Sequence, residues 1–321
     1  MLPEELIKEL ALENGASVCG FAPAGPLAEH ARFLLALEDL PPELGYLARN
    51  PEKRADIRNW FAGARSVLIC GFSYWPQSLT APGASDRSEP LAVPCQGLCP
   101  SDGLAHGLDY KKTLEGVGEP KAFLERSGRK IPQPGFFEAG NRRIARYALG
   151  SDYHAAVKEK LLKILEGVKP AFPRAEGRAF VDTSPVLEKE LGRLAGLGFR
   201  GKNTLLINPK LGSYFVLGGL ALNLKLKPDT PLGGGSASLD NSFAGPRPSE
   251  ALAKEDGCGD CDLCVKACPR CALKDGRLLA SKCVSYLTTQ ATEKIPTEAA
   301  LNSGGFAYGC DICQEACPFN K

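Results

Sequence analysis

The chain has 321 residues, 39 Lys and Arg against 37 Asp and Glu, a formal net charge of +2, and 44% hydrophobic residues. That length suits one large domain with a small appendage. The near-zero balance excludes nucleic-acid binding driven by bulk charge, while leaving room for a local basic patch.

Residues 3–14 predict an amphipathic helix: Pro3 suits the first turn, Leu6, Ile7 and Leu10 share a face, and Gly15 is placed to cap the end. The acidic start, Met1-Leu2-Pro3-Glu4-Glu5, is unlike a secretory signal, and no apolar run approaches a membrane span. Many cysteines without such a signal imply a cytoplasmic protein that ligates metal instead of forming disulfides. Strands are expected at 17–21 and 66–73, placing Cys19 and Cys70 in the core. Residues 76–140 are rich in Pro, Gly and Ser, lack periodicity, and read as an insertion or lid. Order resumes at 143–149. Ser151 or Asp152 should cap a helix at 153–166 that buries Val157, Leu161, Ile164 and Leu165. A short strand ends at 180–182, a helix follows at 186–194, and strands are expected at 204–208 and 213–222. This alternation implies an α/β or α+β sheet domain over residues 1–227. Residues 228–256, with three consecutive glycines, read as a linker, and a cysteine-rich module fills 257–321.

Eight of the thirteen cysteines lie in that module: Cys258, Cys261, Cys264 and Cys268-Pro269, then Cys283, Cys310, Cys313 and Cys317-Pro318. Gaps of two, two and three residues ending in Cys-Pro are the pattern of bacterial two-cluster [4Fe–4S] ferredoxins, whose fourth cysteine ligates the other cluster. Cys258, Cys261, Cys264 and Cys317 should therefore hold one cluster, and Cys268, Cys283, Cys310 and Cys313 the second. Two structural zinc sites are the competing reading, but zinc leaves both Cys-Pro cysteines without a role. Cys271 is an extra thiol beside the clusters. Cys95 and Cys99 form a CxxxC pair in the insertion, read either as a spare loop pair or as a metal or redox pair.

Clusters move single electrons, so the large domain must hold a second redox group or a substrate. Three segments are candidates. In Tyr147–His154, helix capping with aromatic packing competes with a chemical role. In Phe180–Pro185, Asp182 follows a strand end, where α/β proteins place reacting groups, or simply caps the next helix. In Gly196–Thr204, dense glycine lets backbone approach a large ligand, although neither a phosphate loop nor a dinucleotide fingerprint is present. Three histidines (His30, His106, His154) are too few for a histidine-rich metal site.

The segments ARYALGSDYH (145–154), RAFVDTSPVLEKELGRLAGLGFRGKNTLLINPKLGSYFVLG (178–218), KCVSYLTTQ (282–290) and YGCDICQEACPFNK (308–321) together resemble the epoxyqueuosine reductases, cobalamin-dependent iron–sulfur enzymes of tRNA queuosine biosynthesis. YLARNPEKRADIRNWFAGARSV (46–67) resembles the family's N-terminal region. The resemblance implies an α+β protein: a nitroreductase-like corrinoid-binding sheet domain, related in fold to corrinoid domains of reductive dehalogenases, followed by a 2[4Fe–4S] ferredoxin-like module. It implies cob(II)alamin held base-off between the two parts, with no histidine ligand. Asp182 matches the proposed proton donor. Arg54, Ala148, Asp182, Leu206 and Leu217 match cofactor contacts on the domain side, and Ser285, Cys310 and Asp311 on the cluster side. The implied reaction is a two-electron, two-proton epoxide deoxygenation, with the clusters relaying electrons from a low-potential donor such as flavodoxin or ferredoxin. The implied partner is a tRNA anticodon stem-loop whose wobble base is unstacked into the pocket, and a monomer is expected. A desolvated site should raise the Asp182 pKa. Arg142, Arg143, Arg146 and Lys202 are placed either to touch phosphates or as ordinary surface.

The chain departs from the family at three places: it stops directly after the cluster run, it carries the 76–140 insertion, and it has Gly219 and Phe199 where the family usually has glutamate and tryptophan. An electron-transfer protein without a corrin, and a corrinoid reductase acting on another substrate, are the alternative functions.

Overall fold

The computed structural model describes residues 2–74, 143–150, 152–232, 257–292 and 301–320. The expected insertion with Cys95 and Cys99, His106, Arg142, and nearly all of the linker lie outside the described residues.

Helix α1 (Pro3–Glu13) begins with Pro at its first position and two glutamates in its first turn, favourable at the positive end of a helix. It ends where Gly15 adopts φ +84°, as a C-terminal glycine should. Strand β1 (Val18–Pro23) follows, then α2 (His30–Leu37), a 3-10 turn at Pro42–Ala48, the short α3 (Pro51–Ala55) and β2 (Ser66–Ser73). β3 (Arg143–Ile144) leads through a 3-10 turn (Arg146–Ala148) into α4 (Tyr153–Val168). Asp152, not Ser151, caps α4 by accepting from the His154 amide at 3.0 Å. The helix buries Val157, Leu161, Ile164, Leu165 and Val168. Next come β4 (Gly177–Val181), α5 (Glu188–Leu194), the hairpin of β5 (Phe199–Arg200) and β6 (Leu206–Ile207), and β7 (Phe215–Leu222).

The strands β1, β2, β7 and β4 form one antiparallel sheet in that order. Its side chains alternate in the two-residue period of a strand covered on both faces. Leu68, Cys70, Phe72, Leu220 and Leu222 pack with Ile7 of α1 and with Val157, Leu161 and Ile164 of α4. Val67, Ile69 and Ala221 face the other way, toward Leu191 of α5, Leu206 and Trp60. Two adjacent glycines thin β7 for this packing. A Cβ on Gly218 would stand 2.6 Å from Val157 Cγ1, and one on Gly219 only 2.5 Å from Phe180 Cζ and 2.6 Å from the Leu68 carbonyl. A glutamate at position 219 therefore has no space.

The module contains α6 (Leu263–Ala267), the hairpin β8 (Leu273–Lys274) and β9 (Arg277–Leu278), α7 (Val284–Thr289), β10 (Phe306–Tyr308) and α8 (Ile312–Glu315). It is bound to the sheet domain along several seams. β10 pairs in parallel with β3. Arg143 Nη2 reaches Glu315 at 2.6 Å, and the Arg146 amide donates to Asp311 Oδ2 at 2.8 Å. Arg143 and Arg146 are thus committed to internal carboxylates instead of being offered to phosphates. Gln314 Nε2 reaches Tyr74 Oη and Ser213 Oγ, while the Asn320 side chain takes the Ser213 amide at 2.6 Å. On the far side, Glu43 of the Pro42–Ala48 turn accepts from Tyr286 Oη at 2.5 Å and from the Thr292 amide at 2.9 Å. These hydrogen bonds hold the Glu43 carboxyl down at about 2, the tyrosine contact counting most. The fold is α+β, with the module docked against one end of the sheet domain.

Candidate functional site

Two places concentrate chemistry. The first is the module, where the thiols gather in two sets. Cys258 and Cys261 precede α6, Cys264 lies on it, and Cys317 follows α8. These four sulfur-bearing residues line one cavity with Lys202, Asn203, Ile207, Pro318 and Phe319. The Cys264 thiol interacts electrostatically with Cys258, Cys317 and Cys261, and burial pushes it up to about 12. The second set is equally coherent. Cys313 interacts with Cys283 and Cys268, and Cys310 with Cys313 and Cys283; burial raises both well above the ordinary thiol value. The expected partition puts Cys258, Cys261, Cys264 and Cys317 in one set, the four that line this cavity, and Cys268, Cys283, Cys310 and Cys313 in the other. Cys264 also interacts with Cys313, because α6 packs on α8, so the two sets are neighbours.

The donor chemistry fits iron–sulfur clusters. Buried thiols of high pKa become thiolates only beside a strong cation. Backbone amides already point at the sulfurs: Lys202 N reaches Cys258 Sγ at 3.4 Å and Ala272 N reaches Cys268 Sγ at 3.2 Å. Among the described residues, no group of three or more His, Cys, Asp or Glu is arranged to hold a single ion. The four thiols of the first set line one cavity, and four thiolates are the donor set of a [4Fe–4S] cluster. Cys271 stands outside both sets, at φ +48° beside Cys268. Cys70 is buried in the sheet, and half-buried Cys19 lies across from it.

The second place is Asp182, at the end of β4. Its side chain is 58% exposed, held by two residues from the start of α4. Tyr153 Oη donates to Asp182 Oδ2 at 3.0 Å, and His154 Nε2 lies 3.3 Å from the same oxygen. The two rings stack with centroids 4.1 Å apart. His154 Nδ1 is 2.7 Å from Asp152 Oδ1. A neutral imidazole donates to one of these carboxylates, and an imidazolium donates to both. Asp152 therefore serves as helix cap and as ring anchor at once, the capping and aromatic packing expected of Tyr147–His154. Burial, then the charge and hydrogen bond of Asp182, raise the Tyr153 pKa, keeping the phenol a donor.

Three further groups share this field. Tyr46 is 46% exposed, and burial together with the Asp182 charge raises its pKa. Glu188 opens α5, and desolvation lifts its carboxyl to about 7, although part of the side chain still meets solvent; Asp182 adds to the rise while Lys189 and Arg54 oppose it. Arg54 is buried, donates from Nε to the Leu47 carbonyl at 3.2 Å, and lies over the Phe33 ring. Tyr46 and Glu188 lie within the 46–67 and 178–218 segments, but neither carries an expected role there, and only their tertiary neighbours mark them.

The remaining residues expected at a cofactor fall into two groups. Leu206 is buried and Leu217 half-buried, and both close on Gly192 of α5, where a Cβ would stand 2.7 Å from Leu206 Cδ2 and 3.8 Å from Leu217 Cδ1. Ala148 is fully buried beside Ile144 and Tyr308. Ser285 is half-buried on α7, its carbonyl accepting from Thr289 Oγ1 at 2.6 Å. Cys310 belongs to the second thiol set. Asp311 is 1% exposed, and desolvation raises its carboxyl to about 6 against the pull of Arg146. Ala148, Cys310 and Asp311 flank the β3–β10 pairing: Ala148 packs on Tyr308, Cys310 packs against the hydrophobic cluster of Ala145 and Phe306, and Asp311 accepts from the Arg146 amide.

Known proteins give this arrangement a context. Residues 257–320 match the family described as "4Fe-4S double cluster binding domain", and residues 123–183 the family described as "Epoxyqueuosine reductase QueG, DUF1730". An epoxyqueuosine reductase of Cyclobacterium marinum is 31% identical over 320 residues, covering 99% of this chain and 79% of the relative. A crystal structure of an epoxyqueuosine reductase with an epoxyqueuosine-modified tRNA-Tyr stem loop superposes with a TM-score of 0.65 at 26% identity, covering 99% of this chain and 64% of the other. The Bacillus subtilis epoxyqueuosine reductase, solved with its aspartate catalytic loop swung out of the active site, gives 0.64 at 25% identity, with 99% and 65% coverage. The chain thus spans slightly under two thirds of these solved proteins. No helix among the described residues is long and apolar enough to cross a membrane.

Proposed function

Because the chain belongs to the epoxyqueuosine reductase family, being 31% identical to a member along 99% of its length, we propose that it reduces epoxyqueuosine to queuosine in tRNA. The observation that carries this reading is Asp182: a solvent-facing carboxyl group at a strand end, oriented by Tyr153 and His154, in a chain that carries a double 4Fe–4S domain. The net reaction removes the epoxide oxygen as water and needs two electrons and two protons. Asp182 is the group placed to deliver a proton to the departing oxygen, and the Tyr153 hydroxyl stabilises the carboxylate left behind. Glu188, with a carboxyl near 7, is a second acid in the same field. Arg54, pinned by Leu47 and Phe33, supplies fixed positive charge opposite these carboxylates.

The two thiol sets hold the clusters that relay electrons one at a time, Cys258, Cys261, Cys264 and Cys317 holding one and Cys268, Cys283, Cys310 and Cys313 the other. We assign to this chain a cobalamin held between the sheet domain and the module, as the family resemblance implies. Half-buried Leu217 would offer an apolar contact to a flat macrocycle and half-buried Ser285 a hydroxyl to its polar rim, whereas Ala148, fully buried beside Ile144 and Tyr308, would support the site from behind. His154 has both ring nitrogens on carboxylates, consistent with a cobalt that takes no protein imidazole. When bound, the cobalamin supplies a low-valent metal able to attack carbon; the chain's own residues orient the substrate and move protons. The partner is a tRNA anticodon stem-loop, and the electron source a low-potential carrier protein.

The test is anaerobic reconstitution with iron, sulfide and cobalamin, followed by incubation with an epoxyqueuosine-bearing stem loop and a low-potential reductant. Formation of queuosine in the RNA, measured by mass spectrometry of the nucleosides, is expected. A chain that carries both clusters and cobalamin yet leaves epoxyqueuosine intact would overturn the reading.

A further inference from the structure

The loop joining β5 to β6 belongs to the sheet domain, yet it lines the cavity of Cys258, Cys261, Cys264 and Cys317. Its Asn203 is 3% exposed. Asn203 Oδ1 accepts from the Leu205 amide at 3.2 Å, which fixes the orientation of the side-chain amide. Its Nδ2 is buried and has no partner among the described atoms. A buried amide N–H without an acceptor is destabilising, and what this cavity offers as acceptors is sulfur. One residue earlier, the Lys202 amide already donates to Cys258 Sγ at 3.4 Å. The loop is built tightly around this pose. A Cβ on Gly201 would stand 2.4 Å from Ile207 Cδ1 and 2.7 Å from Asn203 Oδ1, and Thr204 is held at φ +66°.

We propose that the Asn203 side-chain amide, together with the Lys202 backbone amide, donates hydrogen bonds to sulfurs of the cluster held by Cys258, Cys261, Cys264 and Cys317, and so sets its reduction potential from the sheet domain. The proposal rests on the cluster assignment above. The physical reason is charge. Reduction adds one electron to the cluster, with no bond made or broken, and that charge spreads over sulfur. An N–H aimed at sulfur stabilises the reduced state more than the oxidised one, which raises the potential. Asn203 is a positioning and tuning residue, not a catalytic one. Its loop makes the redox level of this cluster depend on correct seating of the module against the domain.

The experiment is an EPR-monitored redox titration of the full, anaerobically reconstituted chain, comparing wild type with Asn203→Leu and Asn203→Asp. Leucine keeps the volume and removes the donor, and aspartate replaces the donor by an acceptor. The expected result is about a tenfold rise in the ratio of oxidised to reduced cluster at fixed poise for Asn203→Leu, ~59 mV for one electron. The shift is larger for Asn203→Asp, and the second cluster serves as an unmoved internal reference. A midpoint unchanged within about twofold in that ratio, on a chain with wild-type iron content, overturns the proposal. Should either variant lose iron, pulsed EPR of wild-type chain labelled with 15N-asparagine decides the matter. An amide-nitrogen coupling to the reduced cluster supports the assignment, and its absence sinks it. A wild-type chain that binds no iron would remove the cluster reading along with this proposal, whereas an unmoved potential on a loaded chain removes this proposal alone.

Discussion

The Tyr153 hydroxyl donates to Asp182 Oδ2 at 3.0 Å, joining the first turn of α4 to the end of β4. Both residues sit at the ends of elements whose bodies are buried in the core, so the pair is rigidly referenced to the sheet while its polar ends face outward. Replacing Asp182 by Asn removes the proton and keeps the shape. Turnover of the epoxide should fall by about 10²–10⁴-fold, the range for loss of a general acid. Iron content should stay at the wild-type level. Tyr153→Phe removes one hydrogen bond to a charged group and should cost about tenfold in kcat. Single-turnover assays on reconstituted protein separate these effects from binding, and wild-type rates in Asp182→Asn would discard the assignment.

Glu188 gives a pH signature. Its folded carboxyl sits at about 7 because of desolvation, against an ordinary 4.5. The folded chain therefore holds this proton more tightly than the unfolded chain does. Through this group, stability is greatest below about 4.5, declines as pH rises toward about 7, and is flat beyond. Glu188→Gln should flatten that portion of the stability curve, seen in urea midpoints at pH 5.5 and pH 8. Identical pH dependence in the two proteins would show that Glu188 is ordinarily solvated.

The division of the thiols is countable. Cys317 lines the cavity with Cys258, Cys261 and Cys264, while Cys283 interacts with Cys268. Cys317→Ala and Cys283→Ala should each lower bound iron from about eight to about four per chain, each leaving a different EPR signal, since a [4Fe–4S] cluster needs its full thiolate set. If both substitutions erase the same signal, the partition is wrong.

At Gly219, a Cβ would meet the Phe180 ring and the Leu68 carbonyl at 2.5 and 2.6 Å. Gly219→Ala should cost about 1–3 kcal/mol by overpacking, read as a lower urea midpoint with unchanged slope. An unaffected midpoint would mean that β7 has slack that the packing does not show.

Much of this was legible in the chain before the fold. Strand β2 runs Ser66–Ser73 as its apolar run requires, and α4 buries the four residues its 3.6 period marks, with Val168 extending the stripe. Local periodicity and ligand spacing carry such information directly. Other features escaped because they depend on partners distant in sequence. The strand expected over 204–208 shrinks to Leu206–Ile207, since Thr204 turns through positive φ to place the loop on the module. The helix expected from Val186 begins at Glu188. Asp229, read as linker, is tied to Lys8 at 2.6 Å and to the Phe21 amide at 2.8 Å. Arg143 and Arg146, open in the sequence to either phosphate contact or ordinary surface, instead pair with Glu315 and Asp311 from the other end of the chain. The two-residue Asp275-Gly276 turn between β8 and β9, both at positive φ, carries the Asp-Gly signature of a tight hairpin.

The seam along α8 bears on any attempt to take this protein apart. Asp311, Gln314 and Glu315 carry their partners on the sheet domain, and Asn203 closes one thiol cavity from outside the module. A fragment excised at Gly257 as a portable miniature ferredoxin would leave a buried acid without its amide and one cluster with a side open to water and oxygen. Grafting this electron relay onto another scaffold would mean transplanting the Arg143–Ala148 segment and the β5–β6 loop with it. The smallest transferable unit is a three-part assembly drawn from separated stretches of chain, not the contiguous domain that the cysteine spacing suggests.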